Sequence, residues 1–303
     1  MSGNPAAIHL AARSSSFRQE VVMITRPRTA VTLVGLLLLA GLARRTPADE
    51  TQAPDDAQEK LRITKELVEK AANEVKVLPD GEAEVPLQPE VVLRWQNSVR
   101  VQTGAAVLAI WTHNGRPEGM ASIFVWNGDL CHEFSSLSRQ GKLTVSHKSS
   151  ARLSLREPGV VFKPVPDSPP PADTPAARLR QMKSIAERFT AKLADQTRNN
   201  ENTEVLRLLA KPLYRYEIKE SGSDPWRLLD GGMFAYVMGT DPEVVLLLEA
   251  VGAENGAAWQ YAFAIATTHA VEVRLGEQVV WSRRGFASDA PQAEVFLRRR
   301  LSD

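Results

Sequence analysis

From residue 105 onward the apolar positions fall into short runs rich in Val, Ile, Leu and aromatics, separated by turn dipeptides. Runs of that kind predict strands. Asn114-Gly115, Asn127-Gly128 and Asn255-Gly256 tolerate positive φ and suit two-residue hairpins, while Asp80-Gly81 and Asp230-Gly231 are weaker turn marks. The pattern predicts strands over about 105–113, 119–126, 130–138, 142–147 and 151–155. A second series follows over about 204–210, 213–218, 232–239, 243–250, 258–267, 270–275 and 278–282.

Ahead of each series the period changes to that of a helix. Between Ala57 and Val75 the apolar residues Leu61, Leu67, Val68, Ala71, Ala72 and Val75 recur among Lys and Glu. From Pro175 to about Asp195 the stripe is Leu179, Met182, Ile185, Ala186, Phe189 and Leu193, with Thr174 as N-cap and Pro175 at the first helical position. Pro164, Pro166, Pro169, Pro170, Pro171 and Pro175 make residues 164–175 an extended strap. A carboxyl-terminal helix is expected to start near Ser288 or Asp289, with Arg298 to Arg300 at its negative end.

The fold class expected is α+β: two helix-plus-antiparallel-meander units, 49–163 and 176–303, joined by the strap. Ile110-Trp111 leads through a turn to Pro117-Glu118 and a strand, and Tyr236-Val237 leads through a turn to Pro242-Glu243 and a strand. Two readings of this likeness stay open, an internal duplication and ordinary similarity between meanders. On one strand Trp259, Tyr261, Phe263 and Ile265 share a face, and Ala258, Ala262, Ala264 and Ala266 share the other. The small face is expected to receive a helix and the aromatic face to build the core. Leu179, Met182, Ile185 and Phe189 should be buried. The run Val244 to Leu248, apolar on both faces, reads as a central strand. Each unit is expected to have its own core, so that a cut near Ser168 would leave both folded.

The amino terminus reads as an address. Thr29 to Ala43 is uncharged and contains Leu36 to Leu39. As a helix this stretch would reach only about 22 Å, short of the roughly 30 Å hydrocarbon core. A signal peptide fits: Arg26 and Arg28 precede it, and Ala40, Gly41, Ala43 and then Thr46-Pro47-Ala48 offer cleavage sites after Ala43 or Ala48. Arg44 and Arg45 keep open the alternative of an uncleaved anchor. Residues 1–22, with the serine run Ser14 to Ser16, precede Met23; a start at Met23 is the simple reading of them, and Met1 stays open as the alternative. The protein is therefore expected to be exported, to the periplasm, the cell envelope or the medium.

Composition narrows the classes further. Hydrophobic residues make up 43% of the 303 and charged ones 24%, enough for a sizeable core. With 37 basic against 36 acidic side chains the net charge is +1, and no basic tract precedes Arg298. The electrostatic footprint of nucleic-acid binding is missing. Removing residues 1–48 would leave a net charge of about −4. The single cysteine, Cys131, excludes an internal disulfide, cysteine-rich zinc sites, iron–sulfur clusters and CxxC chemistry. No cofactor is expected.

Catalytic motifs fail one by one. His132-Glu133 opens like HExxH, but Ser136 stands where the second histidine belongs, and a strand would not bring residues four apart onto one face. His113 and His132 fall at opposite ends of a meander, about 20 Å apart at 3.3 Å per residue. His147 and His269 are isolated, so no metal is expected. There is no GxSxG elbow, and Cys131 points away from His132 on a strand. Neither GxGxxG nor GxxxxGK[ST] occurs. Two candidate sets are left. Glu118, Asp241 and Glu243 stand beside matching turns and could form a paired-carboxylate or calcium site. Tyr214, Arg215, Tyr216 and Trp226 lie in or near a segment, Glu217 to Asp230, that the first unit lacks, and such groups can anchor a partner or a sugar face.

Several segments carry a likeness. They are Gly115-Arg116-Pro117-Glu118 through Ser122-Ile123-Phe124-Val125-Trp126, His132-Glu133-Phe134 through Ser136-Leu137-Ser138, and Arg178-Leu179-Arg180-Gln181-Met182. Leu206 to Leu209, Pro212 to Tyr216, Gly239 to Glu243 and Trp259 to Ala262 continue it, so that residues from about 90 to 281 are covered. Together they resemble a family of exported bacterial proteins seen mainly in planctomycetes. The resemblance implies export and assigns no activity. Where members of that family carry a further histidine near Glu133, this chain has Ser135. The function expected is that of an exported, non-catalytic binding or cell-envelope interaction protein. Its partner would be a protein or an envelope component, not nucleic acid, and it would meet a membrane only through an uncleaved signal. The alternative is an exported hydrolase with a carboxylate site near Glu118, Asp241 or Glu243, which needs one pocket to join two of those carboxylates.

Overall fold

The computed structural model describes residues 52–79, 88–96, 104–126, 128–147, 153–194, 203–217, 227–253, 256–285 and 296–300. The expected signal segment, Asp80-Gly81 and Trp226 lie outside them. The chain begins with α1 (Gln52–Glu74), whose residues Thr64, Val68, Ala71 and Ala72 are buried. It runs directly into β1 (Val75–Pro79). There follow β2 (Gln88–Gln96), β3 (Ala105–His113), β4 (Arg116–Trp126), β5 (Asp129–Ser136), β6 (Leu143–His147) and β7 (Leu153–Leu155). Strands β2 to β5 form a meander, while β1 pairs with β6 and β6 with β7.

The strap contributes a short strand, β8 (Lys163–Pro164), and leads to α2 (Pro175–Ala186). Thr174 caps α2 by accepting a hydrogen bond from the Ala177 amide at 3.3 Å. Next come β9 (Phe189–Ala194), β10 (Thr203–Val205), β11 (Arg207–Leu208) and β12 (Tyr214–Tyr216). The remaining strands are β13 (Leu228–Met238), β14 (Asp241–Ala253), β15 (Gly256–Ile265), β16 (Ala270–Leu275), β17 (Gln278–Arg283) and β18 (Phe296–Arg300). Strands β13 to β15 form a second meander with β8, β11 and β12 at its margins, and β9 pairs with β16 and β16 with β17.

The fold is therefore β-rich and antiparallel, with a helix in each half, as an α+β class requires. The two large sheets pack face to face. Leu108, Ile110, Met120 and Leu137 of the first meet Met233, Val245, Leu247, Ala262, Ala264 and Ala266 of the second in one cluster. On the outer face of the first sheet, α1 and the β1-β6-β7 sheet close over Val107, Ala109, Trp111 and Ile123. On the outer face of the second, α2 with β9 and β16 closes over Tyr236, Leu246, Tyr261 and Phe263. Strand β14 is buried on both faces, Val244, Leu246 and Leu248 outward and Val245 and Leu247 inward. Residues Asp49–Asp303 make one compact unit.

Six expectations are corrected. Ala262, Ala264 and Ala266 face the other sheet, and α2 lies on the aromatic side. Small side chains here let one sheet approach the larger residues of its partner. The two units are not separately cored, because the inter-sheet cluster draws on both. Helix α2 stops at Ala186, and Phe189, Ala191 and Leu193 continue as the buried face of a strand. Ile185, Phe189 and Leu193 fit a period of four, but Phe189, Ala191 and Leu193 also fit a period of two, and β16 offers backbone partners that settle the choice. Met182, Ile185 and Phe189 are buried as expected, whereas Leu179 is half-buried. Finally, Phe296–Arg300 is a strand pairing with the edge of β5, where a helix was expected. Asp230-Gly231 also lies inside β13 and makes no turn.

The strap is pinned. Val165 is buried and its amide donates to the Trp259 carbonyl at 2.9 Å, and Arg188 donates to the Pro166 carbonyl at 2.8 Å. Enlarging Ala264 to Leu, at the sheet interface, should cost about 1–3 kcal/mol by overpacking. Urea unfolding checks this. A change below about 0.5 kcal/mol would be that of an uncrowded surface position.

Candidate functional site

The turn between β3 and β4 places Asn114 at φ 48° and Gly115 at φ 90°, the hairpin geometry that the Asn-Gly pair favours. It sets Arg116 at the start of β4. Two residues on, Glu118 projects from the same face, toward the second sheet. Opposite stands Glu249 of β14, two residues beyond inward-facing Leu247 and completely buried. Arg116 Nε donates to Glu249 Oε1 at 2.9 Å and its Nη1 to Glu118 Oε1 at 3.0 Å. Arg139, just past β5, donates to Glu249 Oε2. The Tyr216 hydroxyl donates to Glu249 Oε1 at 2.9 Å. Both guanidinium groups lie over the Phe162 ring, Arg139 at 3.7 Å and Arg116 at 5.4 Å from its centroid. A cluster of four charges thus bridges the two halves.

Its electrostatics follow from burial. Desolvation works against the charge on Arg116, but the Glu249 and Glu118 carboxylates outweigh it and keep the guanidinium protonated. Burial pushes the Glu118 carboxyl above its usual range, opposed by Arg116 and Ser138. Burial, and then the negative charge of Glu249, push the Tyr216 hydroxyl well above 10.

Beside this cluster opens a depression of about 540 Å³, lined by Arg139, Pro158, Val160, Val161, Phe162, Arg227, Val251, Gly252 and Gln260. It draws on the segment before the strap, the start of β13, and strands β14 and β15.

The aromatic set is partly assembled. Tyr214 and Tyr216 stack with centroids 5.9 Å apart, and the Tyr214 hydroxyl donates to the Gly115 carbonyl at 3.2 Å. Tyr216 lies across Gly231, where a Cβ would sit 2.3 Å from its ring. Arg215 binds Asp230 at 2.6 Å, and Arg178 of α2 binds the same carboxylate at 2.8 Å. These groups fasten β12 and α2 to β13. The carboxylate set is dispersed: Glu118 is joined to Glu249 through Arg116, while Glu243 and Asp241 sit toward the other end of β14, about 20 and 26 Å from Glu249 at 3.3 Å per residue. His113 pairs with Arg116 and His132 with Ile123, about 23 Å apart along β4. Among the described residues, no group of three or more His, Cys, Asp or Glu side chains could hold a metal ion.

Glu249, Arg139, Phe162, Arg227 and Gln260 were not singled out from the sequence. One signal was there for Glu249, the charge inside the apolar run 244–251, which a central strand can bury only with a partner.

No protein-family model, no curated protein and no solved structure matches the chain.

Proposed function

We propose that the chain is an exported, non-catalytic binding or cell-envelope interaction protein built from two copies of one helix-plus-meander unit. The observation that carries the non-catalytic reading is the separation of the carboxylates. Glu118 is held by Arg116, and Asp241 and Glu243 stand six or more residues from Glu249 along β14, so the described structure spreads the three carboxylates over different strand segments. Duplication draws support from pairing order. In each half a helix leads into a strand, β1 or β9, which later pairs with the first strand after a meander, β6 or β16, which in turn pairs with the next, β7 or β17. Export draws on the short apolar stretch Thr29 to Ala43 with its flanking arginines, and on the likeness to exported planctomycete proteins.

Sequencing the amino terminus of the mature protein should find Arg44 or Asp49 first. A chain beginning at Met1 or Met23 in the membrane fraction would replace the cleaved signal by an anchor. In the same preparation, glycosidic, ester and peptide substrates should not turn over. Turnover abolished by Glu118→Gln or Glu243→Gln would overturn the non-catalytic reading.

A further inference from the structure

We propose that the depression beside Arg139 binds an organic carboxylate with an apolar body, an inference that rests on the binding reading and gives it a place. Its volume, about 540 Å³, lies in the range of small-molecule sites, roughly 300–1,000 Å³. Among the described residues no carboxylate lines it. Of its two arginines, Arg139 is matched by Glu249 beneath it. Among the described residues the Arg227 guanidinium has neither an ion pair nor a hydrogen bond, and the half-buried Gln260 carboxamide has no partner either. Among the described residues the depression therefore offers a guanidinium and an amide that no protein group engages. That combination suits a singly charged carboxylate, which the arginine fork can grip with two parallel hydrogen bonds. A doubly charged phosphate would ask for a second free cation.

Two further features favour a built site. Arg227 has φ 52°, a left-handed conformation that a non-glycine residue holds at a cost. That backbone lays its side chain across Gly252, where a Cβ would meet Arg227 Nε and Cζ at 3.4 and 3.6 Å. The guanidinium is thereby oriented before a ligand arrives, and a glycine at 252 leaves it room. In the same lining Val161 is 70% exposed, an apolar surface that a ligand body would cover. Arg139, its guanidinium over the Phe162 ring, completes the lining with that ring.

The test is calorimetric titration of the purified full chain with N-acetylphenylalanine, with its neutral amide, and with inorganic phosphate. The carboxylate should bind saturably at one site, the amide and phosphate at least tenfold more weakly. Arg227→Gln should weaken carboxylate binding at least tenfold and Gln260→Leu several-fold, with the unfolding midpoint unchanged because Arg227 is exposed. Equal binding of carboxylate and amide, tighter binding of phosphate, no carboxylate binding, or binding that ignores Arg227→Gln would each overturn the site. None of these outcomes touches the non-catalytic reading, which falls only to substrate turnover.

Discussion

Replacing Glu249 with alanine should destabilise the protein by about 3–5 kcal/mol. The carboxylate is completely buried and accepts from Arg116, Arg139 and Tyr216. Without it, guanidinium groups whose side chains are only 6% and 8% exposed would lose the charge that offsets their desolvation. Arg116 would keep Glu118, but Arg139 would lose its partner at Glu249. Urea unfolding at neutral pH measures the loss, and a change under about 1 kcal/mol, as for an exposed pair, would mean that water reaches the cluster. Glu118→Gln should behave otherwise. Burial raises the folded-state pKa of Glu118 above the ordinary 4.5. Its contribution is therefore fully present below the unfolded value and is lost as pH rises through the folded one. Removing the ionisable group should make stability less sensitive to pH above 4.5 and cost little at pH 7.

Cutting the chain between Ser168 and Pro169 should leave neither half folded alone. The inter-sheet cluster takes Leu108, Ile110, Met120 and Leu137 from one side of the cut and Met233, Val245 and Leu247 from the other. At roughly 1.5–3 kcal/mol for each fully buried large apolar side chain, exposing these would cost as much as the roughly 5–15 kcal/mol that typically holds a domain together. The cut also strands β8 in the fragment that lacks β15, its pairing partner. Circular dichroism of each half should show loss of cooperative unfolding, and mixing the halves should restore it. Cooperative unfolding of either half by itself would mean that the inter-sheet cluster is dispensable.

The sequence disclosed strands wherever alternation and a turn pair coincided. Ala105–His113 and Ala270–Leu275 match the expected ranges, and the Asn114-Gly115 turn forms as its residues dictate. Strand β1 was hidden because Val75 also completes the apolar stripe of α1, and β9 because its residues satisfy two periods at once. The small face of β15 was legible, but nothing local distinguishes a helix from a sheet as what covers it. Of the site, Tyr216 was visible as an aromatic but not its reach to Glu249, since 33 residues separate them. The depression was illegible for the same reason. Arg139, Arg227 and Gln260 belong to segments far apart in the chain, and only the packing of one sheet on the other assembles them.

The pairing of β18 with β5 joins Phe296 to Ser135 and Arg300 to Cys131. A ribosome makes β5 long before β18, so the growing chain carries an open edge of backbone donors and acceptors until β18 emerges. Such an edge invites pairing with another chain. Completion of the first sheet is thereby tied to a segment made only after the whole second meander. Until that segment arrives, the first sheet must keep its open edge covered by a chaperone or leave it exposed to a second chain.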